Sequence, residues 1–161
     1  MSDWWHLVVA DFSDLPDVAE VIQMVVRLLL AAVLGGLLGY DREQVGKAAG
    51  LRTHMLVCVG AALFVLIPER AGLSKADLSR VIQGLAAGIG FLGAGAIVKG
   101  KHEGEIQGLT TAAGIWLTAA IGIAAGLGRE SSAIVGAVFA FLILSTLARA
   151  SHWIDKKPKE G

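Results

Sequence analysis

Residues 21–40 read Val-Ile-Gln-Met-Val-Val-Arg-Leu-Leu-Leu-Ala-Ala-Val-Leu-Gly-Gly-Leu-Leu-Gly-Tyr, and the only charge among them is Arg27. A helix of roughly 20 mostly apolar residues crosses the hydrocarbon layer of a bilayer, so this stretch predicts a transmembrane span. Four more stretches read the same way, at 53–67, 81–98, 109–127 and 132–148. The second is short and is expected to stop at Pro68. The connections 41–52, 68–80, 99–108 and 128–131 are short and polar, which suits neighbouring antiparallel helices. The expected fold class is an all-α membrane protein, a bundle of about five transmembrane helices. Residues 1–20 form an external N-terminal segment, 21–149 the transmembrane domain and 150–161 a cytoplasmic tail.

Composition agrees. Of 161 residues, 55% are hydrophobic, 17% are charged and 21 are glycine. A soluble domain carries about 25% charged residues and about 7% glycine; here charge is depleted and glycine nearly doubled. Net charge is zero with no long basic run, so nucleic acid is not an expected partner. The single cysteine, Cys58, lies in an apolar run and reads as a small buried hydrophobe. The first twenty residues are acidic and hold no Lys or Arg, which argues against a secretory signal peptide. His6, His54, His102 and His152 are scattered, with no pair at metal-ligand spacing. No phosphate-binding loop and no nucleophile–base spacing is visible. The sequence therefore leads us to expect no enzyme activity, no catalytic residue, no cofactor and no bound metal.

Orientation follows from the distribution of Lys and Arg. With the N-terminus outside, Arg42, Lys47, Arg52, Lys99, Lys101, Arg149, Lys156, Lys157 and Lys159 are cytoplasmic, while Arg70, Lys75, Arg80 and Arg129 are external. That excess predicts an external N-terminus and a cytoplasmic C-terminus, as five spans require. Trp4 and Trp5 would then lie at the outer interface, and Tyr40 and Trp153 near the inner one.

In lipid, helices associate by close packing rather than by hydrophobic burial, and small residues at helical spacing allow it. The first span carries Ala31, Gly35 and Gly39, and the fourth Gly114, Thr118, Gly122 and Gly126. The third carries Gly84, Gly88 and Gly95 on one face, with Ala86, Gly90, Gly93 and Ile97 opposite. Two close-approach faces predict that the third helix lies between two neighbours, at the centre of the bundle. Its run Gly-Ile-Gly-Phe-Leu-Gly-Ala-Gly, residues 88–95, is dense in a residue that costs a helix roughly 1 kcal/mol per position in water. A bend, a very close contact or backbone lining a cavity would each account for it.

Polar groups inside a membrane are functional candidates by default. Arg27 is the clearest; it either snorkels outward or pairs with a carboxylate such as Asp77. Gln83, Thr110, Thr111, Thr118, Ser145 and Thr146 follow, most of them expected to bond their own helix carbonyls. No Asp, Glu or His lies near the middle of a span, which weakens a cation or proton path. Asp41, Arg42 and Glu43 end the first helix, while Arg52 and His54 open the second on the same side. A short loop lets these clusters meet, as a salt-bridged hairpin or as a cytoplasmic docking or gating site.

These residues also carry a resemblance. Leu38-Gly39-Tyr40-Asp41-Arg42-Glu43, Gly50-Leu51-Arg52-Thr53-His54, the 88–95 run, and Gly108-Leu109-Thr110-Thr111-Ala112-Ala113 followed by Trp116 are similar, in order, to motifs of the MgtC/SapB family. Arg27, Asp77, Arg80 and Gln83 also fall where that family places polar residues. The resemblance covers about residues 27–128. It implies an integral protein of the bacterial plasma membrane, linked to growth at low Mg²⁺ and, in pathogens, to survival inside host cells. It further implies action by binding other membrane machinery, including the ATP synthase, rather than by carrying Mg²⁺. Larger members continue into a soluble C-terminal domain, whereas this sequence ends about a dozen residues past Ala150.

Three readings follow. The leading one is a non-enzymatic regulator whose glycine-rich surfaces bind other membrane proteins in Mg²⁺-limitation, stress or virulence adaptation. The second is a small ion or solute transporter, suggested by Arg27, a break of the third helix at Gly88–Gly95 and the Thr110–Thr111 pair. The third is a purely structural homo-oligomer, tolerant of change at Asp41, Arg42, Glu43 and Arg52.

Overall fold

The computed structural model describes residues 4–6, 17–99 and 106–154, the side chains of 98–99 and 146–154 excepted. Most of the expected external segment, the tail at 155–161, and Lys101, His102, Lys156, Lys157 and Lys159 lie outside the described residues, as does the side chain of Trp153. Among the described residues five long helices follow one another: α1 Val18–Gln44, α2 Leu51–Arg70, α3 Lys75–Gly95, α4 Leu109–Gly126 and α5 Glu130–Ile154. The first four are long and apolar enough to cross a membrane, and α5 contributes the apolar stretch Glu130–Ser145. The protein is thus an all-α, multi-pass membrane protein.

The helices overrun the expected spans because hydropathy marks the apolar part alone. Backbone bonding carries each helix on into its polar flanks. Asp17 caps α1 through its side chain, accepting from the Ala19 N–H at 3.2 Å. Helix α2 does not stop at Pro68 but runs on to Arg70. A proline so near the end forfeits one ladder bond, and the Leu73 N–H closes onto the Pro68 carbonyl at 3.1 Å beside Gly72 at φ +76°. Ser74 caps α3. The connection expected at 99–108 contains a two-residue antiparallel ladder between β1 Val98–Lys99 and β2 Ile106–Gln107.

The core is a seam of α1, α2 and α4, backed by α5. Leu38, Cys58, Ala62, Val65, Ala125 and Ala133 are buried in it. Glycines set the spacing. A Cβ at Gly35 would lie 2.7 Å from the His54 carbonyl oxygen, and one at Gly39 would lie 2.7 Å from the Leu51 Cα. On α4, Gly122 and Gly126 rest on the backbone carbonyls of Cys58 and Ala62. These contacts make α1 antiparallel to α2, and α4 parallel to it.

The third helix is not central. Half of the apolar window of α4 is buried (50%) against 6% of that of α3, whose only buried residue is Gly93, facing Ala112. A Cβ added at Gly84, Gly88, Gly90 or Gly95 would meet nothing within 4 Å. Small residues permit close approach but do not compel it. On α4 the neighbours present backbone at the right height; on most of α3 they do not.

Candidate functional site

The fold sorts the polar side chains into two clusters at opposite ends of the bundle. At one end, α1 finishes and α2 begins. Gly46 at φ +65° closes α1, with its N–H on the Glu43 carbonyl and the Lys47 N–H on the Arg42 carbonyl, both at 3.0 Å. This turn lets Glu43 reach forward, where Oε2 accepts from the Leu51 N–H at 2.8 Å and so caps α2. Gly50 is packed against the same carboxylate.

Arg42 is 3% exposed. Its Nε donates to Asp41 Oδ2 at 2.9 Å, its Nη2 also contacts that oxygen, and Nη2 donates to the Leu144 carbonyl of α5 at 2.8 Å. A buried guanidinium needs such partners, and losing one leaves an uncompensated charge. The expected meeting of the two clusters is therefore made by Glu43 with the start of α2. Arg42 turns instead to α5, and Arg52 is exposed, in no ion pair among the described residues. His54 is fully buried between the helices. Nδ1 lies 3.0 Å from the Gly50 carbonyl, while Nε2 faces Gly114 of α4 with no hydrogen-bond partner.

The opposite end gathers around Arg27. Its Nη1 donates to Glu69 Oε2 at 3.3 Å and to the Gly126 carbonyl at 3.1 Å, and Glu130 stands 4.0 Å from Nε. Arg27 thus caps the C-terminus of α4, where the helix dipole favours a cation, and joins four helices. Gly128 at φ +65° leaves room for the guanidinium. Asp77 is not the partner of Arg27. It is held one helix away by Ser74 Oγ at 2.6 Å and by Arg80 Nη1 at 2.5 Å. Sequence reading missed Glu69, Glu130 and the companion pair Arg70–Glu20, at 3.4 Å. Their signal is visible in retrospect: each acid flanks a span at the same end as an arginine.

Gln83 lies on the exposed face of α3, 3.5 Å from Ser79 Oγ. Thr118 donates to the Gly114 carbonyl at 2.8 Å and Ser145 to the Phe141 carbonyl at 2.7 Å, each within its own helix. Thr110 and Thr111 open α4 beside a cavity of about 590 Å³ at the Arg42 end. A second cavity of about 590 Å³ is an apolar groove between α2 and α3, lined among others by Gly60, Phe64, Gly84 and Gly88. Among the described residues no group of three or more His, Cys, Asp or Glu is placed to hold a metal.

The model of the MgtC family matches residues 28–153. Protein SrpB of Synechococcus elongatus is 45% identical over 134 residues, 76% of this chain and 74% of SrpB. YhiD of Escherichia coli K12, named a putative magnesium transporter, is 41% identical over 145 residues, 84% of this chain and 65% of YhiD. Protein MgtC of Brucella abortus is 45% identical over 120 residues, 73% of this chain and 48% of that protein. The chain thus spans about half of the Brucella protein. No solved structure matches it.

Proposed function

This chain belongs to the MgtC family, and on that premise we propose that it is a non-enzymatic regulator of other membrane proteins in magnesium limitation or stress. It acts in the bacterial inner membrane with its N-terminus outside, the choice that the Lys and Arg distribution favours. One observation carries the reading. Helix α3 holds Gly84, Gly88 and Gly95 in an open face, with Phe91 86% exposed, while Gly93 is its one buried residue. A face of that kind accepts another membrane helix at close range. Two buried polar side chains support the same view: Arg42 and Thr118 are bonded to carbonyls of the bundle.

A Mg²⁺-linked transporter is the second reading, favoured by the name given to YhiD. Flux of Mg²⁺ into sealed proteoliposomes separates the two. The regulator shows no flux above empty vesicles while its unfolding transition stays cooperative. Saturable flux that Arg27→Ala abolishes in folded protein would replace the regulator by the transporter.

A further inference from the structure

Among the described residues, the cavity beside the start of α4 is lined by three separate pieces of the chain. Gly46 and the two bonds that close α1 deliver Lys47 and Ala48 to one wall. Ala96, at the end of α3, gives the second. Ile106, Gln107 and the first turn of α4 give the third. Gly108, at φ +92°, is pressed against the Ala96 carbonyl, so no side chain fits at the N-cap of α4. The helix accordingly has no side-chain cap and no acidic residue in its first turn. Its first intrahelical bond is Ala112 N–H to the Gly108 carbonyl at 2.8 Å, which leaves the amides of Leu109, Thr110 and Thr111 without a carbonyl of their own helix.

A helix start of this kind favours negative charge, and a second observation points to a ligand. Thr111 is only 4% exposed and lines the cavity, and its hydroxyl makes no hydrogen bond among the described residues. Thr118, its counterpart two turns on, bonds a carbonyl of its own helix. Asp41 and Glu43, the described acids closest in sequence to Lys47, are engaged with Arg42 and the Leu51 N–H. Among the described residues Lys47 is in no ion pair.

We propose that this cavity binds a phosphate group, with the α4 first-turn amides, the Thr110 and Thr111 hydroxyls and the Lys47 ammonium as its donors. Tetrahedral oxygens match a set of amide, hydroxyl and ammonium donors that converge from two walls. Beside Gln107, the lining includes the apolar side chains of Ala48, Ala96, Ile106 and Leu109, which suit the organic part of a phosphodiester. An anionic phospholipid headgroup and free phosphate share this chemistry.

The test uses the purified full chain in detergent. Retention of dioleoylphosphatidylglycerol, with uncharged dioleoylglycerol as reference, is read by native mass spectrometry; inorganic phosphate is titrated by calorimetry. Binding of either probe is expected to weaken about tenfold in Lys47→Ala combined with Thr110→Val. Both positions are exposed, so the fold survives the change. Arg129→Ala, an exposed cation at the other end of the bundle, leaves binding unchanged. Lipid bound and phosphate ignored assigns the site to a headgroup; phosphate bound with the same sensitivity assigns it to the free ion. Folded protein that binds neither probe, or binding that the double variant leaves intact or Arg129→Ala weakens equally, overturns the proposal.

Discussion

Helices α3 and α4 are similar in length and both carry a stripe of small residues, yet the bundle treats them in opposite ways. On α4, Gly122 and Gly126 sit on the carbonyls of Cys58 and Ala62, where any side chain would overlap backbone. On α3, Gly84, Gly88, Gly90 and Gly95 look into open space. The difference teaches that a glycine stripe is a capacity rather than a contact. Whether it is used depends on a neighbour that presents its backbone at matching intervals. The unused stripe is the one available to a partner.

The comparison breaks most directly at Gly122. Gly122→Val forces its branches into the Cys58 carbonyl, which the α2 backbone cannot yield. Overpacking of this kind typically costs about 1–3 kcal/mol, and contact with backbone puts it at the upper end. Loss of the cooperative thermal transition in detergent is the expected result. An unfolding temperature within a few degrees of the parent would show that the seam is looser than described.

Arg42→Ala is expected to be similar or slightly smaller in effect, about 3 kcal/mol. It frees the Leu144 carbonyl and strips Asp41 of its partner. Denaturation followed by tryptophan fluorescence checks it. Stability equal to the parent would mean that α5 is held to α1 by packing alone.

At the other end, Arg27→Ala removes the cap on the Gly126 carbonyl and the ion pair to Glu69. Glu69 is 41% exposed, so solvent screening reduces the charge contribution. About 1 kcal/mol is expected, read as a small shift of the same transition. A collapse as deep as that of Arg42→Ala would make this cluster the stronger clamp.

The smallest stability effect belongs to Gly88→Leu, expected within about 0.5 kcal/mol of the parent. Its consequence is functional: growth of a complemented deletion strain at low Mg²⁺ fails although the folded protein is present. If growth is normal, the open face of α3 is not where a partner binds.

Several features are legible in the sequence because they are local. The 21–40 stretch requires a membrane helix by length and polarity alone, and so do 109–127 and the clustering of Asp41, Arg42 and Glu43 beside the next helix. Arg27 stands out because a charge in a span needs a partner. Which partner is not legible. Glu69 is 42 residues away and Gly126 is 99, and Asp77 is an equally reasonable choice on charge. The same limit explains the misplaced third helix, since periodicity gives the faces of a helix but not what stands opposite them.

What the sequence determined by itself is the solvent of this protein, its all-helical class and the residue types able to approach closely. Those properties depend on runs of polarity and on side-chain volume, which each segment carries alone. Only the tertiary structure decided that α1, α2 and α4 form the seam, that Arg42 turns to α5, and that α3 is left at the edge. Lipid covers any apolar face equally well, so hydrophobicity cannot choose among neighbours. The choice falls to steric fit and paired polar groups, which exist only between segments.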